Sequence, residues 1–130
     1  MKRMMKASKR AKSWTTTRVE TWATPGIPDI DICDEDGLFH KVELKVTEGN
    51  RVELRPHQVS YLTRHKHASV WILVRKGLTK TDYELSLYRG EQAVDVCMDG
   101  LKTEPVLRLV TPENWDELWE TISPTKEEKE

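Results

Sequence analysis

The sequence predicts an α/β fold, a small mixed β-sheet flanked by helices, and three patterns carry that expectation. Asp29-Ile30-Asp31-Ile32 and Lys41-Val42-Glu43-Leu44-Lys45-Val46 alternate polar and apolar residues with period two, as half-buried strands do. Val70-Trp71-Ile72-Leu73-Val74 is a continuous apolar run, which suits a central strand covered on both faces. Trp115, Leu118, Trp119 and Ile122 recur at i, i+3, i+4 and i+7, the stripe of a core-facing helix.

The remaining elements follow from local chemistry. Met1 to Ser13 reads as a short basic helix and Arg18 to Ala23 as a strand. Thr24-Pro25-Gly26 has proline and glycine where a type II turn needs them. Ile27 precedes a proline and is driven to an extended conformation, and Pro28 opens the next strand without needing an N–H. Asp34-Glu35-Asp36-Gly37 is turn chemistry between two alternating segments, so these form a hairpin. Arg55-Pro56-His57-Gln58 starts a helix, with proline in its first turn. That helix is predicted to run to about Lys66 and to offer Val59, Tyr61 and Leu62 to the core. Tyr83–Tyr88 and Val106–Val110 are further strands, and the last helix begins near Pro112. The order is strand, strand, strand, helix, strand, with strands and a helix appended.

The chain has 130 residues, enough for one domain with a single core. A third of the residues are charged, yet the net charge is only −1, so total charge selects no partner. Its distribution says more. Seven cations and no acid precede Glu20, and Glu53 is the one acid between Arg51 and Lys80. After Pro112 the balance turns acidic, ending in Lys-Glu-Glu-Lys-Glu. A basic face for a polyanion and an acidic face turned from it would give that pattern. Cys33 and Cys97 have no metal-ligand spacing and read as buried thiols of a reducing compartment rather than as a disulfide or zinc site. The charged N-terminus predicts neither signal peptide nor membrane span, which places the protein in the cytoplasm, of a host cell if it is viral.

Strand alternation brings chemistry together. Asp29 and Asp31 share one face of their strand, and Glu43 and Lys45 share one face of theirs. Pairing across the Asp34–Gly37 turn lets Asp29 approach Glu43 with Lys45 beside them. Two carboxylates and a lysine on adjacent strands suit Mg²⁺, an ion usually held by one or two carboxylates plus substrate phosphate. Such an ion activates water and offsets charge on a phosphoryl oxygen.

Pro28-Asp29 followed by Glu43-Leu44-Lys45 resembles the PD-(D/E)xK nuclease superfamily. Gly26-Ile27-Pro28-Asp29-Ile30, Val42-Glu43-Leu44-Lys45-Val46 and Pro56-His57-Gln58 together are similar to its compact VRR-NUC and Holliday-junction-resolvase-like members, many of them phage-encoded. The resemblance covers roughly residues 18–75. It implies a restriction-endonuclease-like core and a Mg²⁺-dependent endonuclease, with Mn²⁺ as a substitute. Asp29, Glu43 and the Leu44 carbonyl would hold the metal, Lys45 would be the catalytic lysine, and Gln58 would stand at the helix start beside the site. Glu20, in Arg18-Val19-Glu20, falls where such proteins often carry a further acid. Residues 1–17 would be a basic N-terminal segment, 18–122 the nuclease domain, and 123–130 an acidic disordered tail.

Rival assignments of the same acids are weaker. Placing Gly37 as the glycine of a calcium loop puts Ile32 at the first ligand position, which an apolar side chain cannot fill. Asp34, Glu35 and Asp36 are expected only to make the turn. Asp31 is either an exposed strand acid or a contact to a second metal. His57 either meets a phosphate or is a surface histidine at the helix start; His65 and His67 lack partners for zinc. DNA would be drawn by Arg18, Arg51, Arg55, His57, Arg64, Lys66 and the basic N-terminus, largely through phosphates. A domain this small favours recognition of branched or junction structure over base sequence. A homodimer is the default assembly, built on the exposed part of Val70–Val74 or on the Trp115–Ile122 stripe. The competing class is a nuclease-like fold that binds nucleic acid without cutting it.

Overall fold

A computed structural model describes Met5, Ser8 and residues 10–19, 26–77, 79, 81–111 and 115–125. Six strands form one sheet: β1 (Thr15–Arg18), β2 (Ile30–Cys33), β3 (Phe39–Thr47), β4 (Val70–Lys76), β5 (Glu84–Arg89) and β6 (Leu107–Val110). Three α-helices with described bounds accompany them, α1 (Pro56–Arg64), α2 (Ala93–Asp99) and α3 (Asp116–Ile122). Spatial order follows chain order from β1 to β6. Four of the five strand pairs are antiparallel, and only β3 and β4 run parallel. A parallel pair needs a crossover, and α1 supplies it. The α/β class and the mixed sheet are therefore as the sequence predicts.

The two faces of the sheet are covered by different partners. On one, Val70, Ile72, Val74 and Tyr88 pack with Leu62 of α1 and with Ala93 and Val96 of α2. On the other, Ile30, Ile32, Val42, Trp71 and Leu73 pack with Leu118, Trp119 and Ile122 of α3 and with Met5, Ala11 and Trp14. Fully burying such a side chain stabilises the fold by about 1.5–3 kcal/mol. β4 contributes to both cores because all of Val70–Val74 is buried. That leaves no exposed part of Val70–Val74 for a dimer, and Leu118, Trp119 and Ile122 of the helical stripe are equally enclosed. Both surfaces anticipated for subunit contact are used up by the fold itself.

Several boundaries differ from expectation. β1 lies at Thr15–Arg18, where three β-branched threonines pair with β2; of the strand expected over Arg18–Ala23, Arg18 belongs to β1, Val19 does not, and positions 20–23 lie outside the described residues. Most of the helix expected over 1–13 also lies outside them, and Ala11–Trp14 is a turn closed by the Trp14 amide on the Ala11 carbonyl at 3.1 Å. Of residues 1–17, the described Met5, Ala11 and Trp14 sit in the core and Thr15–Thr17 in the sheet. Likewise Ser123 is buried rather than part of a loose tail. Val46, on the same side of β3 as Val42 and Leu44, is 66% exposed, because β3 there runs beyond the end of its pairing with β2. α2 was not anticipated: seven residues with only Ala93 and Val96 buried give too little periodic signal.

Candidate functional site

The register of β2 on β3 builds the site. Ile30 pairs with Val42 and Asp31 with Lys41, so continuing by one residue sets Asp29 across from Glu43. Directly opposed residues of an antiparallel pair share a face. Asp29, Asp31, Lys41, Glu43 and Lys45 therefore project on the side covered by α1, while Ile30, Ile32 and Val42 enter the α3 core. The Val19 amide donates to the Asp29 carbonyl at 2.7 Å and extends the β1 pairing to the aspartate itself.

Gly26 brings the helix start to this rung. It has φ of +91°, as the third position of a type II turn requires, and a Cβ there would stand 2.2 Å from the His57 carbonyl oxygen. Only glycine lets the turn before Asp29 touch the first turn of α1, which carries Gln58. Gln58 is thereby poised over β3. Its Nε2 donates to Glu43 Oε2 at 3.0 Å, and its Oε1 accepts from Lys45 Nζ at 3.1 Å and from the Arg55 amide at 2.9 Å. Lys45 Nζ also lies 3.6 Å from Glu43 Oε2. Across the rung, Asp29 Oδ2 accepts from the Leu44 amide at 3.3 Å.

Glu43 is 2% exposed, and its Oε1 is buried with no hydrogen-bond partner among the described residues. Burial pushes its carboxyl up to about 7, and the neighbouring Asp29 carboxylate pushes the same way against the opposing pull of Lys45. An unpaired oxygen buried beside a second carboxylate is costly unless something supplies positive charge. Hard oxygen donors of this kind fit a divalent cation such as Mg²⁺. Among the described residues no three His, Cys, Asp or Glu side chains are arranged to hold one metal ion together, so Asp29 and Glu43 form the described donor set. Glu20, the further acid expected, lies outside the described residues.

The cations expected to meet DNA are distributed unevenly. Arg51 lines an open groove of about 490 Å³ that begins at Lys45 and includes Thr47, Glu48, Gly49 and Glu53. With two cations and two acids on its walls, that groove is charge-balanced. Arg55 and His57 are exposed at the start of α1, beside Gln58. Arg64 ends α1 about 9 Å further along its axis, and Lys66 lies beyond it. Arg18 pairs with Ile30, so it shares that residue's face and points away from Asp29 and Asp31. Asp31 is tied by Lys41 Nζ at 2.8 Å. Arg10, in the basic N-terminus, stacks on Trp14, pairs with Glu35 and Glu120 and donates to the Ser123 carbonyl, so it is held by the fold.

Sequence reasoning missed what the acidic turn does. Asp34 is buried, with Oδ1 accepting from the Asp36 and Leu38 amides at 2.9 and 3.0 Å. Its Oδ2 meets His40 Nε2 at 2.8 Å and the Ser123 hydroxyl at 2.7 Å. The other nitrogen of His40 meets Ser69 Oγ at 2.6 Å. Burial alone would raise the Asp34 carboxyl, but these hydrogen bonds, that of His40 foremost, hold it down to about 2. Glu35 accepts from Arg10 and from the Trp14 indole. The turn thus fastens Arg10 and Trp14 on one side and Ser123 on the other to the sheet. The missed signal was His40 at an inward position of β3, a polar residue that needs a buried partner. No helix among the described residues is long and apolar enough to cross a membrane. Compared with protein-family models, with curated proteins and with solved structures, the chain gives no match.

Proposed function

We propose that the chain is a divalent-metal-dependent DNA endonuclease with a PD-(D/E)xK, restriction-endonuclease-like core, selecting its substrate by structure rather than by base sequence. The observation that carries this reading is Glu43: a buried carboxylate with an unpaired oxygen, facing Asp29 and flanked by Lys45. A purely structural acid would have its oxygens satisfied. Asp29 and Glu43 would hold Mg²⁺, with the Leu44 carbonyl as a further donor. When bound, the ion supplies Lewis acidity toward a phosphoryl oxygen and its bound water.

The chain's own groups then have separable tasks. Lys45 offers a compact positive charge to the attacking water or to charge developing on phosphorus. Gln58 holds Lys45 and Glu43 at once and sets their mutual orientation. Arg55 and His57 flank that helix start, where phosphates of the backbone would be met. The test is a cleavage panel in Mg²⁺ comparing a four-way junction with flap, single-stranded and linear duplex DNA. Branched substrate should be cut fastest, and Asp29→Ala and Lys45→Ala should each lose at least about 10²-fold. Wild-type activity in both variants would remove the assignment. Tight binding of every substrate with no cleavage would favour the non-catalytic binding module instead.

A further inference from the structure

The face that carries Asp29 and Glu43 has a second rung, built differently. Two residues further along β2, Asp31 stands across from Lys41 instead of from another acid, and Lys41 Nζ is 2.8 Å from Asp31 Oδ1. The same pair of strands thus presents carboxylate against carboxylate at one rung and carboxylate against ammonium at the next. Same-face neighbours on a strand are about 6.7 Å apart, so Asp31 is near enough to Asp29 for the two to flank a second cation. Two-ion phosphodiesterase sites hold their metals about 3.5–4 Å apart. We propose that this site holds a single divalent ion and that Lys41 occupies the place a second would need.

Three observations support the assignment, which rests on the metal-dependent reading above. The unpaired buried oxygen belongs to Glu43, at the first rung, and not to Asp31. Asp31 and Lys41 keep only 22% and 31% of their side-chain surface, and each already has its partner. Charge gives the third. With Glu43 ionised, the form that would hold a cation, Asp29, Asp31 and Glu43 contribute three negative charges against two positive from Lys41 and Lys45, a net of −1 on this face. One divalent ion brings the face to +1, opposite in sign to one phosphodiester. A second ion would bring it to +3 with an ammonium beside it. Lys41 is in this sense a specificity-determining residue for metal stoichiometry. It is held in place by its own amide, which donates to the Ser69 carbonyl at 2.9 Å.

The test is Mn²⁺ titrated alone into the full chain, with bound ion counted by electron paramagnetic resonance and by calorimetry. The wild type should bind one ion per chain. Lys41→Met, which keeps the aliphatic stem, should bind two, the second more weakly. Lys41→Arg, which keeps the charge, should stay at one, and adding Asp31→Asn to Lys41→Met should return the count to one. Two ions on the wild type, or one on Lys41→Met, overturns the proposal while leaving metal dependence intact. No ion on the wild type overturns the metal-dependent reading itself, and the stoichiometry falls with it.

Discussion

Glu43 and Asp34 are the two acids buried among the described residues, and the fold surrounds them in opposite ways. Asp34, at the end of β2, receives two backbone amides, an imidazole nitrogen and a hydroxyl. Every donor favours its ionised form, and the carboxyl is held down to about 2. Glu43, in the middle of β3, has one oxygen turned to Gln58 and Lys45 and the other unpaired. Burial and Asp29 push it up to about 7. Both sites bury a carboxylate, so burial does not separate them. Saturation does: a carboxylate with all its acceptor positions filled binds the protein together, and one left short is available to a cation.

The largest consequence is expected at Asp34. Asp34→Ala strips the acceptor from His40, Ser123 and two amides, leaving buried donors unpaired, and should destabilise the fold by about 3 kcal/mol. Urea unfolding at pH 7 measures this. The effect also has a pH signature. A depressed carboxylate stabilises the native state above its unfolded value near 4 and loses that contribution as pH falls through about 2. The lowering corresponds to about 2 kcal/mol, so the gap between wild type and Asp34→Ala should narrow by that amount on acidification. A variant as stable as wild type would show that saturation at this turn is incidental.

At Glu43 the sign reverses. Its folded value lies above the unfolded one, so the native state is favoured below about 4.5 and loses that advantage as pH rises through about 7. Glu43→Gln keeps the shape without the charge. In EDTA at pH 8 it should be more stable than wild type by about 3 kcal/mol, and at pH 4.5 the difference should nearly vanish. The same variant should lose Mn²⁺ binding and cleavage, since stability given up at a carboxylate is what makes it ready for a cation. A loss of stability at pH 8 would mean that Glu43 is as well satisfied as Asp34, and the contrast would collapse.

How much of this was legible in the sequence follows from the range over which each pattern acts. Period-two alternation is local, so it located β2 and β3, gave Asp29, Glu43 and Lys45 a common face and, with the turn at Asp34–Gly37, gave their register. The apolar run at Val70–Val74 reported its double burial for the same reason. The partners of Asp34 lie elsewhere in the chain. Ser123 is 89 residues away, and nothing near the turn announces that the end of α3 returns to it. Arg10 was assigned to DNA by composition, yet Glu35 and Glu120, brought beside it only by the fold, claim its charge. Charge runs report surface potential before folding pairs them. Asp31 remained open between two roles until the register set Lys41 across from it.

The smallest expected effect separates a helix cap from a site. Two helical segments here begin with the pattern Arg-x-x-Gln. Gln92 accepts from the Arg89 amide at 2.9 Å and donates to the Glu104 carbonyl at 2.8 Å. Gln58 accepts from the Arg55 amide at the same 2.9 Å but donates to Glu43 and also receives Lys45. Gln92→Ala should cost about 1 kcal/mol, the ordinary value of a lost capping interaction, at any pH between 5 and 8. Gln58→Ala loses the same capping bond and also a donor that favours ionised Glu43. Its cost should match that of Gln92→Ala at pH 5, where Glu43 is protonated, and exceed it at pH 8, where Glu43 must ionise with one donor fewer. Parallel urea titrations of the two variants in EDTA read the difference directly. If both costs stay equal across that range, Gln58 is only a helix cap, and the tie between the start of α1 and the carboxylates of the sheet carries no energy.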